Sequence, residues 1–564
     1  MPRSTINGTA IDLDGKEMIL DADQDTSITV DTDDQIDIKI AGSDKLVISS
    51  TSHLSTTTAG TSNLVLGVNA GNSIASGGNY NVCIGDEAGT ALTTGDNNVA
   101  IGFQALDNED EHGGNVAIGR SALSVLNAGA DGFNTAVGHL AGDLMTTGTQ
   151  NTLIGGLSGD ALTVGSQNVA IGAYALTADT QGTGSVAIGR SALEAQNFSS
   201  ATTVDNVAVG RHAGLSVTTG QQNVLIGGLA GDAVTVGYHN IAIGYNSLST
   251  EDGNGKNVAI GSNALATQNA GAEGYNVAVG YDAGTSITTG IHNTFLGART
   301  GDALDVGTYN VAVGDQALSN DTKGNKSTAV GYGALNGQNQ TSSTDTNNVA
   351  VGYTSGNNIT TGTSNTFVGF EAGNVYTTGY NNICIGKGAK GDAVDRYLAY
   401  TIGVDCIAAG FNGLITIGTG SGSDRIYNEF KNNATWTRVS DERYKKDIQD
   451  NTDCGLAFIN DLKTRTFKWK AKSELTPDMP DYDAEKTTAD YPNKHYGLIA
   501  QEVKEAMASN NITDFGGHAI TEAGGKNIEA IAQSMFVYPL IKAVQELSAK
   551  NDALEARLTA LEGS

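Results

Sequence analysis

A five-residue motif closed by glycine returns along most of this chain, at a spacing too short for a helix-plus-strand unit. The pattern is Asn or Ser, then Val, Thr or Ile, then a central Ala, Leu, Phe or Cys, then Ile, Val or Leu, then Gly. It closes nineteen times from Gly67 to Gly386, as at Gly102, Gly172, Gly244 and Gly314. Most intervals are 17 residues; the longer ones run 18, 19, 21, 19 and 21, and after the first they come every fourth interval. A second period rides on the first: Gly138 to Gly210 is 72 residues, Gly210 to Gly280 is 70 and Gly280 to Gly352 is 72. The central residue keeps the same beat, being mostly Ala but Leu153, Leu225, Phe295 or Phe367 in every fourth motif. Self-similarity at a fixed short period is the signature of stacked repeats.

Within each motif the side chains alternate. Val116 and Ile118 point one way and Ala117 the other, so one face is aliphatic, the other is small, and neither is polar. A strand apolar on both faces has to be covered on both. The expected fold is therefore mainly β, an elongated β-solenoid or β-roll of about 17-residue coils. At about 4.8 Å per coil, the eighteen intervals span roughly 85 Å. Aromatic residues make up only 6% of the chain, so each coil offers few large apolar groups. The small Ala face suggests close approach between chains around a shared axis, hence a homotrimer; a monomeric solenoid with a thin core is the alternative. The motif asparagines and glycines read as turn formers, and Cys83 and Cys384 as buried substitutes for Ala.

The strings Asn98–Gly102, Asn168–Gly172 and Asn257–Gly261 (NVAIG) and Ser185–Gly189 (SVAIG) resemble the head repeat of trimeric autotransporter adhesins, a left-handed parallel β-roll trimer. The resemblance covers about residues 60–390 and implies fold and trimerisation. The coil here is longer than that family's usual one, and neither the neck and membrane anchor nor a signal peptide is evident.

Four segments are expected. Residues 1–59 alternate polar and apolar side chains in Ser27-Ile28-Thr29-Val30 and Ile36-Asp37-Ile38-Lys39-Ile40, which reads as a β attachment module. Asp21 to Asp25 imitates the start of a calcium loop. Thr26 and Thr32 stand where that loop needs Gly and Glu, so no metal site is expected. Residues 60–392 form the repeat shaft, and 393–439, where the beat is lost, a β stalk or transition. Residues 440–564 are richer in Lys and hold four of the five prolines, as suits a C-terminal α+β domain. It ends in a helix whose Leu540, Val544, Leu547, Asn551, Leu554, Leu558 and Leu561 fall on the a and d positions of a coiled coil, with one Asn that fixes register. A lone amphipathic helix packed on its own domain is the alternative.

Three blocks open this last domain: Ser440-Asp441-Glu442-Arg443-Tyr444-Lys445-Lys446-Asp447-Ile448, Phe467-Lys468-Trp469-Lys470, and His495-Tyr496-Gly497-Leu498-Ile499-Ala500-Gln501-Glu502-Val503. Together they resemble the C-terminal intramolecular chaperone auto-processing domain of endosialidase-type phage tailspikes and tail fibres. The resemblance implies that the domain drives trimerisation and then cuts itself off between Val439 and Ser440, with Ser440 as nucleophile, Lys445 as general base and Asp441 in support. The chemistry is self-consistent. A serine hydroxyl needs a base to become a nucleophile, and a lysine serves as base only when desolvated. Cleavage of this kind is a single turnover. A structural role for Ser440 as a helix cap is compatible with it.

With 32 basic and 61 acidic side chains the net charge is −29, which disfavours nucleic acid and anionic membranes as partners. No apolar run reaches the ~20 residues of a membrane span, and the four cysteines frame neither a zinc site nor a disulfide scaffold. No cofactor is expected. The reading is a virion protein assembled in the host cytoplasm: a bacteriophage tail fibre or receptor-binding adhesin that meets other tail or baseplate proteins through its N-terminus. Its host receptor is a polysaccharide in this reading. The inserts that recur every four coils (127–133, 196–205, 268–275 and 338–346) carry Phe133, Phe198 and Tyr275 as candidate receptor contacts, with solvated linker loops as the alternative. A glycan-depolymerising tailspike needs paired carboxylates and aromatic platforms, and a bacterial surface adhesin needs export and anchoring signals. Both stand as alternatives.

Overall fold

The computed structural model describes the chain except residues 1–16, 21–25, 31–35, 41–42, 49–53, 57, 409, 411, 422–423, 430–436, 439–441, 478, 480, 490–492, 524–525 and 564. It divides into two compact units, Met1–Ser440 and Asp441–Ser564. The first begins with an antiparallel meander of the strands Glu17–Ile19, Ser27–Val30, Ile36–Ile40, Ser43–Ile48 and Leu54–Ser55. The calcium-like stretch Asp21 to Asp25 lies outside the described residues.

The rest of the first unit is a β-solenoid. Each motif forms a three-residue strand that pairs in parallel with the same motif one coil away, without register shift, as Val224–Ile226 does with Ile241–Ile243. The ladder runs from Leu64–Leu66 through Ile383–Ile385 and continues beyond residue 392, through Tyr400–Ile402 to Leu414–Gly418. Gly403 sits 17 residues after Gly386, so the beat persists for one more coil, with Thr401 at the strand centre. The antiparallel strands Arg425–Glu429 and Thr437–Arg438 follow.

The orientation of the strand faces differs from the sequence expectation. The Ala face is turned into the chain's own coil, where Ala100, Ala117, Ala170 and Ala187 have no exposure. It meets leucines of the turns, such as Leu106, Leu123, Leu176 and Leu193, in one continuous core. Close approach through alanine is therefore a contact within one chain, because the turn leucines fill the space that small strand residues leave. Val and Ile point outward and are half-exposed, so the uncovered columns are the aliphatic ones.

The four-coil beat has a packing cause. Where Leu or Phe replaces Ala at the strand centre, the flanking turns carry Gly. A Cβ on Gly284 or Gly301 would come within 2.9 or 2.6 Å of the Phe295 ring, and one on Gly142 within 2.8 Å of Leu153. Large and small exchange places, keeping the interior filled at constant volume. The closing glycine has a separate reason: Gly227 has φ 137°, and a Cβ there would lie 2.3 Å from the carbonyl oxygen of Gly244 in the next coil.

The motif asparagines are buried and bonded from coil to coil. Asn223 Oδ1 accepts the Asn240 N–H at 2.9 Å, and Asn223 Nδ2 donates to the Gly237 carbonyl at 2.9 Å. Asn151, Asn293 and Asn365 repeat this pattern. Each side chain thus satisfies backbone groups that water cannot reach. Asn223→Ala leaves a buried donor and acceptor unpaired and should cost about 1–3 kcal/mol, read as a lowered midpoint in denaturant unfolding. Gly301→Ala should destabilise strongly, and less so in a Phe295→Ala background; equal losses in both backgrounds would refute the exchange of volume.

Candidate functional site

The second unit holds helix α1 (Leu456–Asp461), an antiparallel ribbon of Arg465–Phe467 with His495–Gly497, helix α2 (Ala500–Ser509), a hairpin of His518–Ala523 with Lys526–Ile531, and helix α3 (Val537–Glu562). Its small core is Cys454, Phe458, Val503, Ala506, Met507 and Ile512. The Phe458 ring meets Phe515 edge-on, with centroids 5.4 Å apart. Two of the three sequence blocks meet on the ribbon, where Phe467 lies against Trp469 and His495 with centroids 5.6 and 5.8 Å apart. Arg465 reaches Glu502 on α2 (Nε to Oε2, 2.9 Å), and that guanidinium holds the Glu502 carboxyl below its usual range.

Of the processing residues, Val439, Ser440 and Asp441 lie outside the described residues. Lys445 is exposed, and its backbone N–H donates to the Glu442 carbonyl at 2.9 Å.

The seam residues are all on α3. Pro539 and Ala543 are its buried positions, holding the first turns to the unit, while Leu540, Val544, Leu547, Leu554, Leu558 and Leu561 are each at least half exposed. Asn551 is exposed and donates from Nδ2 to Glu555 Oε1 at 3.1 Å. The helix is also fixed from its side: Glu546 Oε2 accepts the Leu456 N–H at 2.8 Å, placing a carboxylate at the N-terminus of α1. Sequence reasoning missed this residue, because Glu546 looks like an ordinary surface position of a heptad.

In the solenoid, Phe133 and Tyr275 are exposed, at 60% and 44%. Phe198 is 5% exposed and so is not presented to solvent. Its N–H points to Asp179 Oδ1 at 3.3 Å, which folds the insert back over the coil. Asp179 belongs to a series of buried acids, Glu109, Asp179, Glu251 and Asp321, spaced 70, 72 and 70 residues apart. Each accepts the N–H three residues on. Burial raises Glu109 and Glu251 above the usual glutamate range. Glu109, Asp110 and His112 have potential metal-ligand atoms within 4.8 Å of one another. The Glu109 oxygens, however, already accept from His112 N and Ala128 N, and the other three acids form the same turn without a histidine.

Tyr275 belongs to a larger surface cluster. Glu273, on the insert, accepts from Lys256 Nζ at 2.7 Å and from the hydroxyls of Tyr238 and Tyr275, tying three coils together. These bonds, led by Lys256, hold the Glu273 carboxyl down at about 2. The knot is therefore in place above the ordinary glutamate value of 4.5 and is lost as the pH falls through about 2. Beyond it the rings of Tyr275, His292 and Tyr309 stack at 5.1 and 5.0 Å. All but Tyr238 and Glu273 stand immediately before a motif Asn, a column the sequence displays once the coils are aligned.

With this geometry in view, residues 440–512 match the family model described as chaperone of endosialidase. The chain thus joins a chaperone-of-endosialidase domain at its C-terminal end to a β-solenoid of stacked coils. No curated protein and no solved structure matches the chain.

Glu546→Ala should leave the Leu456 amide without its acceptor. Hydrogen exchange at Leu456 and along α1 should quicken while exchange in the solenoid is unchanged; unaltered protection at Leu456 would show that the carboxylate does not hold the helix.

Proposed function

We propose that this chain is the protomer of a trimeric bacteriophage tail fibre or receptor-binding adhesin, whose C-terminal domain assembles the trimer and is then released by cleavage between Val439 and Ser440. The observation that carries the reading is α3. In a unit whose first part, residues 440–512, matches a chaperone family, a 26-residue helix is anchored by Pro539 and Ala543 and leaves Leu540, Val544, Leu547, Leu554, Leu558 and Leu561 of its heptad seam exposed. Such a seam is stable when it meets copies of itself. The half-exposed Val and Ile columns of the solenoid offer a second apolar surface for the same association, one larger than scattered surface residues explain. The N-terminal meander is the proposed attachment end, and the receptor is a cell-surface polysaccharide.

The proposed cleavage is an acyl shift. Ser440 Oγ attacks the Val439 carbonyl carbon as Lys445, in its neutral form, takes the hydroxyl proton. The C–N bond breaks, the Ser440 nitrogen takes up a proton as the α-amine, and the resulting ester is hydrolysed by water to leave the Val439 carboxylate. Lysine can act in this way only when desolvated, and Lys445 is exposed in the single chain. A neighbouring chain has to supply the burial, which makes cleavage a report of assembly.

On denaturing gels the wild type should release a C-terminal fragment of ~13 kDa, the mass of a small domain of this length, with Ser440 as its first residue. Ser440→Ala and Lys445→Ala should remain whole. A wild type that never sheds the fragment would refute processing.

A further inference from the structure

The knot around Glu273 orients a ring beside an open cleft. Lys256, one coil on, lies over Tyr238 with its ammonium 5.6 Å from the ring centroid. Tyr238 also lines a cleft of about 190 Å³ with Thr219, Gln221, Gln222, Val236 and His239. The side-chain amides of Gln221 and Gln222 make no hydrogen bond to any described residue.

Backbone conformation aligns these side chains along the solenoid. Gln222, His239, Lys256, Tyr275, His292 and Tyr309 all occupy the position before the motif Asn or its equivalent, with φ between 48° and 65°. That is the left-handed region, where side chains with a Cβ are strained. Gly114 and Gly184 hold the same position in other coils without strain, at φ 75° and 80°. Asn97, Phe133, Gln150, Gln167, Asp205 and Lys326 share the left-handed conformation at this position, so it belongs to the turn of the coil in general and serves here to hold the side chains in one column.

We propose that the cleft at Tyr238 binds one pyranose unit of a neutral, hydroxyl-rich polysaccharide. The chain would continue along the solenoid past the Tyr275–His292–Tyr309 stack. This rests on the adhesin reading and names its receptor site. The Tyr238 ring offers an apolar floor for the C–H face of a sugar. The two glutamine amides, which both donate and accept, suit neighbouring hydroxyls, and Thr219 and His239 add polar groups at the rim. The lining is mostly polar, with Tyr238 and Val236 as its apolar part, which suits a hydroxyl-rich ligand. Charge selects the class of sugar. Glu273 neutralises Lys256, and a chain of net charge −29 repels an acidic polymer. One coil is about as tall as one sugar unit is long, so successive units meet successive coils. His292 stacks on one face each of Tyr275 and Tyr309, and of these tyrosines Tyr238 is the one that lines the cleft.

The test is affinity electrophoresis of the full chain in native gels containing dextran, mannan or galactan, with polygalacturonate as the acidic control. Retardation by at least one neutral polymer is expected, with none by polygalacturonate. Gln222→Gly relieves backbone strain and should fold at least as well as wild type by thermal melting. It and Tyr238→Ala should each weaken retardation at least about tenfold, while Tyr332→Ala, in the separate Tyr332–Tyr353–Phe370 stack, should not. Retardation that survives both Gln222→Gly and Tyr238→Ala overturns the cleft and leaves the adhesin reading standing. Retardation by polygalacturonate alone overturns the neutral-sugar assignment with the same consequence. Absence of retardation by every polymer overturns the cleft and the polysaccharide receptor together, leaving assembly and processing to their own test.

Discussion

A buried asparagine in each coil holds the solenoid at a fixed height. Its side-chain oxygen accepts the N–H of the matching residue in the next coil, and its amide donates to a backbone carbonyl 14 residues on, as Asn223 does with Asn240 and Gly237. A coil of three strand residues and a long turn cannot satisfy its inward backbone groups by sheet pairing alone, and leaving them unpaired away from water is costly. The exceptions obey the same requirement. At Ser185 and Ser327 the shorter side chain is supplemented by Gln196 and Gln338, which bond to the serines and to the buried acids Asp179 and Asp321. Constant height puts equivalent residues in straight columns, and every surface property of the shaft follows from those columns.

Two kinds of column matter for function. The Ala and Leu columns close a dry interior within one chain, so the coil does not need a neighbour to bury its own core. The outward Val and Ile columns and the α3 seam leucines are different: they are ordered, aliphatic and partly or largely exposed. Association in this account is therefore driven by surfaces held rigid beforehand, with little ordering entropy left to lose. The polar flank is separate from these surfaces in composition, with aromatic, imidazole and amide groups in place of aliphatic ones.

The stacked-coil architecture was legible because a 17-residue beat with alternating strand residues has few other physical solutions. The chaperone domain was legible from the residue blocks around Ser440, Phe467 and His495, and the seam from leucines seven apart. What stayed hidden depended on where turns send their side chains. Nothing in the strand motif says whether Ala117 or its aliphatic neighbours face inward; the turn leucines decide that. Phe198 reads as an exposed loop ring until Asp179 is seen to draw its backbone over the coil. The extra rung at Gly403 escaped because Ala399 and Thr401 replace the usual Asn and Ala. Tyr238 and Glu273 became partners only through stacking, since 35 residues separate them in sequence.

The central claim, that uncovered aliphatic columns and an uncovered heptad seam bring three chains together, is tested most directly by multi-angle light scattering of the uncut Ser440→Ala protein. The account predicts a single species of three times the 57.8 kDa chain mass. A species with the mass of one chain, at concentrations where the protein stays soluble and folded, would contradict it.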